Sequence, residues 1–460
     1  MSTNDSPVFD VAMGGDVSAL NATVAAFYGT CRGVFTQTFQ VNQEGITTVE
    51  VDFQAPPTVT LAPTAEVVDH ARALVTGTVS DSQVEATVEN LTAGAITASC
   101  TEFACTINGG PHPIVVTGSV VCSAAVDVQP GSGQGGYVFV LQLSNGTFTD
   151  PAEPDLSALV NAFVIPKLLA YLNNSILANI QIPVISLEGV TFAMPVVTDE
   201  SAGGDDFLLG YTGLNPVVAP AQGTPWPGGT LFAGVDAAAL DAVAAKVLPA
   251  PSGSGGCDDP INLSWDYWIN FSPNFEVNPG AGPVITATMG VTGGASITWH
   301  TPDGLPNISF GGSITGSATA MAAIVAVQDG ANEDIKLIIQ GLGDLQLNLS
   351  IDGLPGFLDE FLSFITNAIL DPIAAIAGSV MSGFPISVYT LSPISLQFAD
   401  LGSYQLVVEN LELSQVAGPG GLGLMTVTAT AGFQPAPSVS VRKSSVSTPR
   451  LSELTAAAVA

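Results

Sequence analysis

Gly14-Gly-Asp16-Val-Ser-Ala19-Leu20-Asn21-Ala22 and Gly234-Val-Asp236-Ala-Ala-Ala239-Leu240-Asp241-Ala242 share one pattern at an offset of 240 − 20 = 220 residues. In each, the aspartate suits a helix N-cap, where its carboxylate accepts a backbone N–H that the first turn leaves unpaired. Apolar residues then recur at helical spacing: Val17, Leu20, Val24 and Phe27 in the first stretch, Leu240, Val243 and Val247 in the second. A short apolar run precedes each helix, over 8–13 and 230–233, and suits a strand. A pattern that returns after so long an interval organises the whole chain as two copies of one unit.

A second pair of elements repeats in the same order. Residues 155–180 predict a long helix with Leu156, Leu159, Val160, Phe163, Leu168, Leu172 and Ile176 on one broad face. Residues 357–380 are its counterpart, through Phe361, Phe364, Ile365, Ile369, Ile373 and Ile376. Each carries an internal proline, Pro166 or Pro372, which removes one helical hydrogen bond and predicts a kink. Ile182-Pro183-Val184 and Phe384-Pro385-Ile386 then begin strands, followed by strand pairs at 189–197 with 207–214 and at 394–398 with 404–413.

Between the helices the chain reads as β. Branched and aromatic residues mark 34–41, 46–53, 83–91 and 137–143 in the first copy, and 265–271, 284–299, 308–328 and 335–351 in the second. The second set is long and spotted with glycine, which predicts twisted strands bulged at those glycines. The fold class expected is therefore α+β: two tandem elongated domains, each a highly twisted antiparallel sheet wrapped around two helices, one of them long and kinked. The boundaries predicted are 1–218 for the first domain, 219–229 for a Pro/Gly-rich linker, 230–436 for the second domain and 437–460 for a flexible tail.

This order of elements resembles the tubular lipid-binding superfamily, in particular its tandem-domain bactericidal/permeability-increasing branch. It is also similar to the toxin-cluster accessory proteins of clostridia. The resemblance spans roughly 8–434 and rests on order and pattern. It implies an apolar lumen in each domain that takes a neutral lipid, sterol or fatty acyl chain, with transient contact at a membrane surface as a further partner. Carried onto this chain, the first lumen would be lined by Leu20, Val24, Phe27, Phe163, Leu172 and Ile176. The second would be lined by Leu240, Val247, Phe361, Ile365 and Ile369. Read from the residues alone, plain core is the better account of any one of these positions, and it is the resemblance that favours a ligand for each stripe as a whole. The other function the resemblance allows is a non-enzymatic interaction protein, such as a toxin-complex component, with the same fold and closed cores.

Composition narrows the ligand. The 460 residues hold 8 Lys+Arg against 40 Asp+Glu, a net charge of −32, yet only 10% are charged and 47% are hydrophobic. Nucleic acid is excluded as a main partner, because phosphate recognition needs clustered cations. The first 160 residues contain only Arg32 and Arg72, which argues against the anionic headgroups that endotoxin-binding members meet with basic tips.

No catalytic, metal or cofactor site is expected. His70, His112 and His300 are isolated in sequence. There is no Gly-x-Ser-x-Gly elbow and no phosphate loop, and Gly131-x-Gly133-x-x-Gly136 precedes a strand rather than a helix and reads as a hairpin turn. The acidic run 329–334 lacks calcium-loop spacing. Cys100 and Cys105 either close a hairpin disulfide or remain inert thiols. Phe361–Val380 is long enough to span a bilayer, but Asp371-Pro372 and the lack of flanking cations favour a helix buried in protein. The first residues carry no export signal, which favours the cytoplasm or a non-classical exit.

Overall fold

The computed structural model describes residues 9–92, 94–131, 136–184, 187, 189–217, 224–248, 250, 252–258, 262–277, 284–301, 305–329, 332–342, 346–351, 366–367, 369–371, 374–375, 385–398, 401–417 and 423–436. The chain is an α+β protein of two tandem units built mainly from antiparallel strands, which among the described residues form three sheets. One sheet belongs to the first copy, one to the second, and a third is shared.

Both predicted caps form. Asp16 Oδ1 accepts from Ala19 N at 2.7 Å and starts the helix Val17–Thr30. Asp236 Oδ1 accepts from Ala239 N at 2.9 Å and starts Ala237–Val247. The strands that lead into these helices, Val11–Asp16 and Leu231–Val235, pair antiparallel with each other at the centre of the shared sheet. Met13 lies opposite Ala233, and 233 − 13 = 220 is the repeat offset itself. A pseudo-twofold axis therefore passes between these two residues. Outward from them, Asp205–Thr212 and Val196–Ala202 extend the sheet on one side. Gly423–Pro435, Gly402–Ala417 and Ile394–Phe398 extend it on the other.

The first copy's own sheet holds Thr36–Gln43, Ile46–Phe53, Ile96–Asn108, Ile114–Pro130, Tyr137–Thr149 and Ile182–Pro183, with Thr58–Thr60 added beside Ile96–Asn108. The second copy's sheet holds Ser252–Cys257, Leu263–Val277, Val284–Trp299, Ile308–Asp329, Asn332–Leu342 and Pro385–Leu391. Gln346–Ile351 joins it against Ile308–Asp329. Each X-Pro segment thus returns to the sheet of its own copy after the long helix.

The long helix of the first copy breaks where the proline predicts. Pro154–Phe163 and Ile165–Tyr171 meet at about 40°, because Pro166 has no N–H for the carbonyl of Ala162. The second segment loosens into a π turn at Leu172–Ile176 and a 3-10 turn at Leu177–Asn179. It seats closely on the strand Tyr137–Thr149, since a Cβ at Gly146 would come within 2.7 Å of Ile165 and 3.0 Å of Leu169. In the second copy, 366–367, 369–371 and 374–375 are helical. The rest of the predicted helix 357–380, including Phe361, Ile365 and the kink at Pro372, lies outside the described residues, as does the tail 437–460.

Several expectations are corrected. Residues 83–91 belong to a helix, Asp81–Thr92, not a strand; Val84 and Val88 lie four apart and pack on Ala71 and Val75 of the helix Ala65–Val75. The strand expected at 189–197 starts only at Val196, because Pro195 lacks the N–H a ladder needs. In the second copy's sheet one bulge does fall at a glycine, since Ala320 and Met321 lie opposite Leu342 and Gln340 and leave Gly341 over, whereas the bulge opposite Ile335 and Lys336 falls at Val388. Residues 335–351 form two strands, which share the long edge of Ile308–Asp329. Within the segment expected as linker, Trp226 is buried and stacks on Phe232 at 5.0 Å. Its indole also donates to Glu200, which accepts from Tyr211 Oη at 2.7 Å.

Cys100 and Cys105 sit on one continuous strand, Ile96–Asn108, and both are free. At ~3.3 Å per residue they are too far apart to bridge. Burial pushes the Cys105 thiol up to about 12, so it stays protonated and unreactive.

Candidate functional site

Four side chains on helices cap strand edges that have no neighbouring strand there. Asn21 accepts from Val59 N at 2.7 Å and donates to Val59 O at 3.0 Å. Asn161 does the same with Phe148 at 2.6 and 2.9 Å, and Asn173 with Leu143 at 2.8 Å each way. Asp241 accepts from Phe275 N at 2.7 Å. An amide mimics a passing strand, offering one donor and one acceptor, so a helix can stand beside a sheet edge without orphaning its backbone. Asn21 and Asn173 also match glycosylation sequons, yet their amides serve this inward role.

The clamped helices cover two apolar cores. The first is aromatic. Rings run from Phe27 to Phe35 (5.6 Å), on to Phe53 (5.7 Å), Phe103 (5.2 Å) and Phe148 (5.8 Å). It also takes side chains of the second copy: Phe27 meets Phe398 at 6.0 Å and Phe433 at 5.2 Å. Of the residues expected to line a first lumen, Ile176 is buried in this core, and Phe27, Phe163 and Leu172 pack against it half-buried. Leu20 and Val24 are half-buried on the same helix as Phe27.

The second core holds a cavity of about 50 Å³ between the shared sheet and the second copy's sheet. Leu240 lines it from the helix, Ala233, Val235, Met425 and Val427 from the shared sheet, and Ile324 and Ile335 from the other wall. Leu187, from the first copy, closes one side. Every one of these side chains is apolar; Tyr389 is the polar-tipped member of the lining, and burial raises the pKa of its phenol. Of the residues expected for this lumen, Leu240 reaches the cavity, Val247 packs on the same core, and Ile369 is fully buried in it. The strand residues of this lining lie outside the sequence expectation, which rested on the helical stripes. Alternation along 423–427 and 231–235 was the available signal, but it does not say which face looks inward.

The remaining chemistry is sparse. His300 Nε2 contacts Ser264 Oγ at 2.8 Å, and its Nδ1 contacts Asn307 at 3.2 Å. Among the described residues no group of three or more His, Cys, Asp or Glu could hold a metal ion. Gly131 N donates to Gly136 O at 2.8 Å, and Pro130 lies opposite Tyr137, so the strands on either side of this segment pair as a hairpin. Among the described residues no single helix is long and apolar enough to cross a membrane. The bent pair Pro154–Phe163 and Ile165–Ile176 meets that criterion by composition, but its apolar side is buried in the first core.

No protein-family model matches the chain, and no curated protein matches it in sequence. Solved structures do resemble it along nearly its full length. P47 of Clostridium botulinum E1 superposes with a TM-score of 0.40 and 7% identity, over 92% of this chain and 98% of that one. P47 from Clostridium botulinum A2 gives 0.36 and 8%, over 92% and 97%. A lipopolysaccharide binding protein gives 0.28 and 10%, over 93% and 100%. At these scores the likeness is loose.

Proposed function

We propose that this protein binds an apolar ligand, such as a neutral lipid, sterol or fatty acyl chain, in the seam between the shared sheet and the second copy's sheet, without catalysing a reaction. The cavity around Leu240, apolar but for the tip of Tyr389, supports this reading. An acyl chain moving from water into such a space gains about 0.8 kcal/mol per buried CH₂. The present volume of about 50 Å³ is smaller than the roughly 150 Å³ that accommodates benzene, so the walls must part for the ligand to enter. Aliphatic walls suit that, because Leu, Ile, Val and Met slide past one another without breaking polar contacts.

Organic extraction of protein purified without detergent, followed by mass spectrometry, tests the proposal. One apolar molecule per chain is expected, together with displacement of a fluorescent fatty acid by the extracted compound. Empty extracts and no uptake of a fluorescent fatty acid or sterol would sink it. The small size of the cavity favours a second reading, a non-enzymatic interaction component with closed cores. That reading predicts empty extracts and a stable complex with a protein partner.

A further inference from the structure

The outer face of the second copy's sheet carries an exposed tryptophan, Trp268, among small polar residues. Along Leu263–Val277 every second residue points away from the core, beginning Ser264, Asp266, Trp268, Asn270. Asp266 lies in a cross-strand row with Ser296 and Gly311, and Trp268 in the next row with Gly294 and Ser313. Asn270, Thr292 and Thr315 continue the surface. The rows around Asp266 and Trp268 border a groove of about 780 Å³, to which the edge strand adds Ser252 and Ser254.

Trp268 is 54% exposed within this groove. Its indole is nonetheless held in place. A Cβ at Gly294 would come within 2.9 Å of Nε1 and 3.2 Å of two ring carbons, so the ring rests on bare backbone there. The result is an aromatic platform seated on backbone and more than half exposed, flanked by hydroxyls and a carboxylate. At the end of the same row of outward side chains, Ser264 and Asn307 are joined through His300.

Charge sets the chemistry of the occupant. No Lys or Arg occurs between Lys246 and Lys336, so the four strands that build the groove, from Ser252–Cys257 to Ile308–Asp329, carry no cation for a phosphate, sulfate or carboxylate. A bilayer surface fits no better, since it would strip water from Asp266 and the serines without replacing their hydrogen bonds. A neutral sugar satisfies both halves of the groove. The C–H face of a pyranose covers the indole, while its hydroxyls reach carboxylate and hydroxyl partners at the ring's edge. We propose that this groove binds a neutral glycan, with Trp268 as the stacking platform and Asp266, Ser254 and Ser296 as hydrogen-bond partners.

The test is retardation of the full chain in native gels containing a soluble neutral β-glucan, xylan or galactomannan, with affinities then measured by titration of derived oligosaccharides. At least one polysaccharide should retard the protein. Trp268→Ala should weaken oligosaccharide binding tenfold or more with an unchanged thermal midpoint, and Gly294→Ala, which displaces the ring, should weaken it as well. A shift of tryptophan emission in the unmodified protein on adding oligosaccharide provides a reading that needs no variant. Retardation by none of the three, or binding that survives Trp268→Ala, would overturn the proposal. Adsorption to phosphatidylcholine vesicles through Trp268 without glycan binding would overturn it too.

Discussion

Asn21 and Asp241 occupy the same place in the two copies, 220 residues apart, and each reaches the backbone of an unpaired strand edge. The amide serves both the donor and the acceptor of Val59, whereas a carboxylate serves only the N–H of Phe275. Burial pushes the Asp241 carboxyl up to about 6, against the opposing pull of the Phe275 N–H. The cores differ in the same sense. The first is an interlocked chain of rings that exchanges aromatic contacts with the other copy; the second is more aliphatic and holds the cavity. The duplication has kept the architecture in both copies, but one copy clamps its strand edges with neutral amides while the other uses a titratable carboxylate and holds the cavity.

The largest expected effects come from breaking each core. Phe103→Ala, in the middle of the ring chain, should cost about 3–5 kcal/mol in denaturant unfolding, and added apolar ligand should not restore it. Leu240→Ala should cost about 2–5 kcal/mol but enlarge the existing cavity, so saturating benzene or laurate should raise its thermal midpoint more than that of the unmodified protein. Equal rescue of both variants would erase the distinction between the cores.

The caps come next. Asp16 Oδ2 also accepts from Gly229 N at 2.6 Å, so Asp16→Ala loses two interactions and should approach 2 kcal/mol, the upper end of the roughly 0.5–2 kcal/mol range for caps. Burial and the neighbouring Asp10 push the Asp236 carboxyl well up, leaving a weaker acceptor, and Asp236→Ala should cost about 1 kcal/mol. Urea unfolding of both variants at pH 7 compares them.

The smallest effect is a pH slope. Between the ordinary value of 3.8 and about 6, folded Asp241 holds a proton that the unfolded chain has released. Stability from this group is therefore fully present below the ordinary value and is lost as pH rises through about 6, and Asp236 acts in the same direction. Asp241→Asn should flatten part of that slope, whereas Asn21→Asp should steepen it by placing a carboxylate beside the Val59 carbonyl. Stability measured by urea titration from pH 4 to pH 8 decides this.

The caps, the proline kink and the return of each X-Pro segment to a sheet were legible because each depends on a few adjacent residues. The pairing of Met13 with Ala233 was not, since nothing local states which strand lies beside which. Residues 81–92 misled because branched side chains suit a strand, while the spacing of Val84 and Val88 and a helix partner at 65–75 decided for helix. The cavity was half legible. Leu240 was found through the repeat, but Met425 and Val427 enter from a strand nearly two hundred residues away, whose inward face depends on the shared sheet.

The pairing at the pseudo-twofold axis also fixes a timetable. Val11–Asp16 is made well before its partners, Asp205–Thr212 and Leu231–Val235, and the latter in turn waits for Gly423–Pro435. At roughly 5–20 residues per second, the nascent opening strand remains unpaired for about 10–40 s before its first partner exists. The sheet that joins the two copies can close only once Gly423–Pro435 has been made, so the strand Val11–Asp16 waits through the synthesis of both copies for its complete sheet.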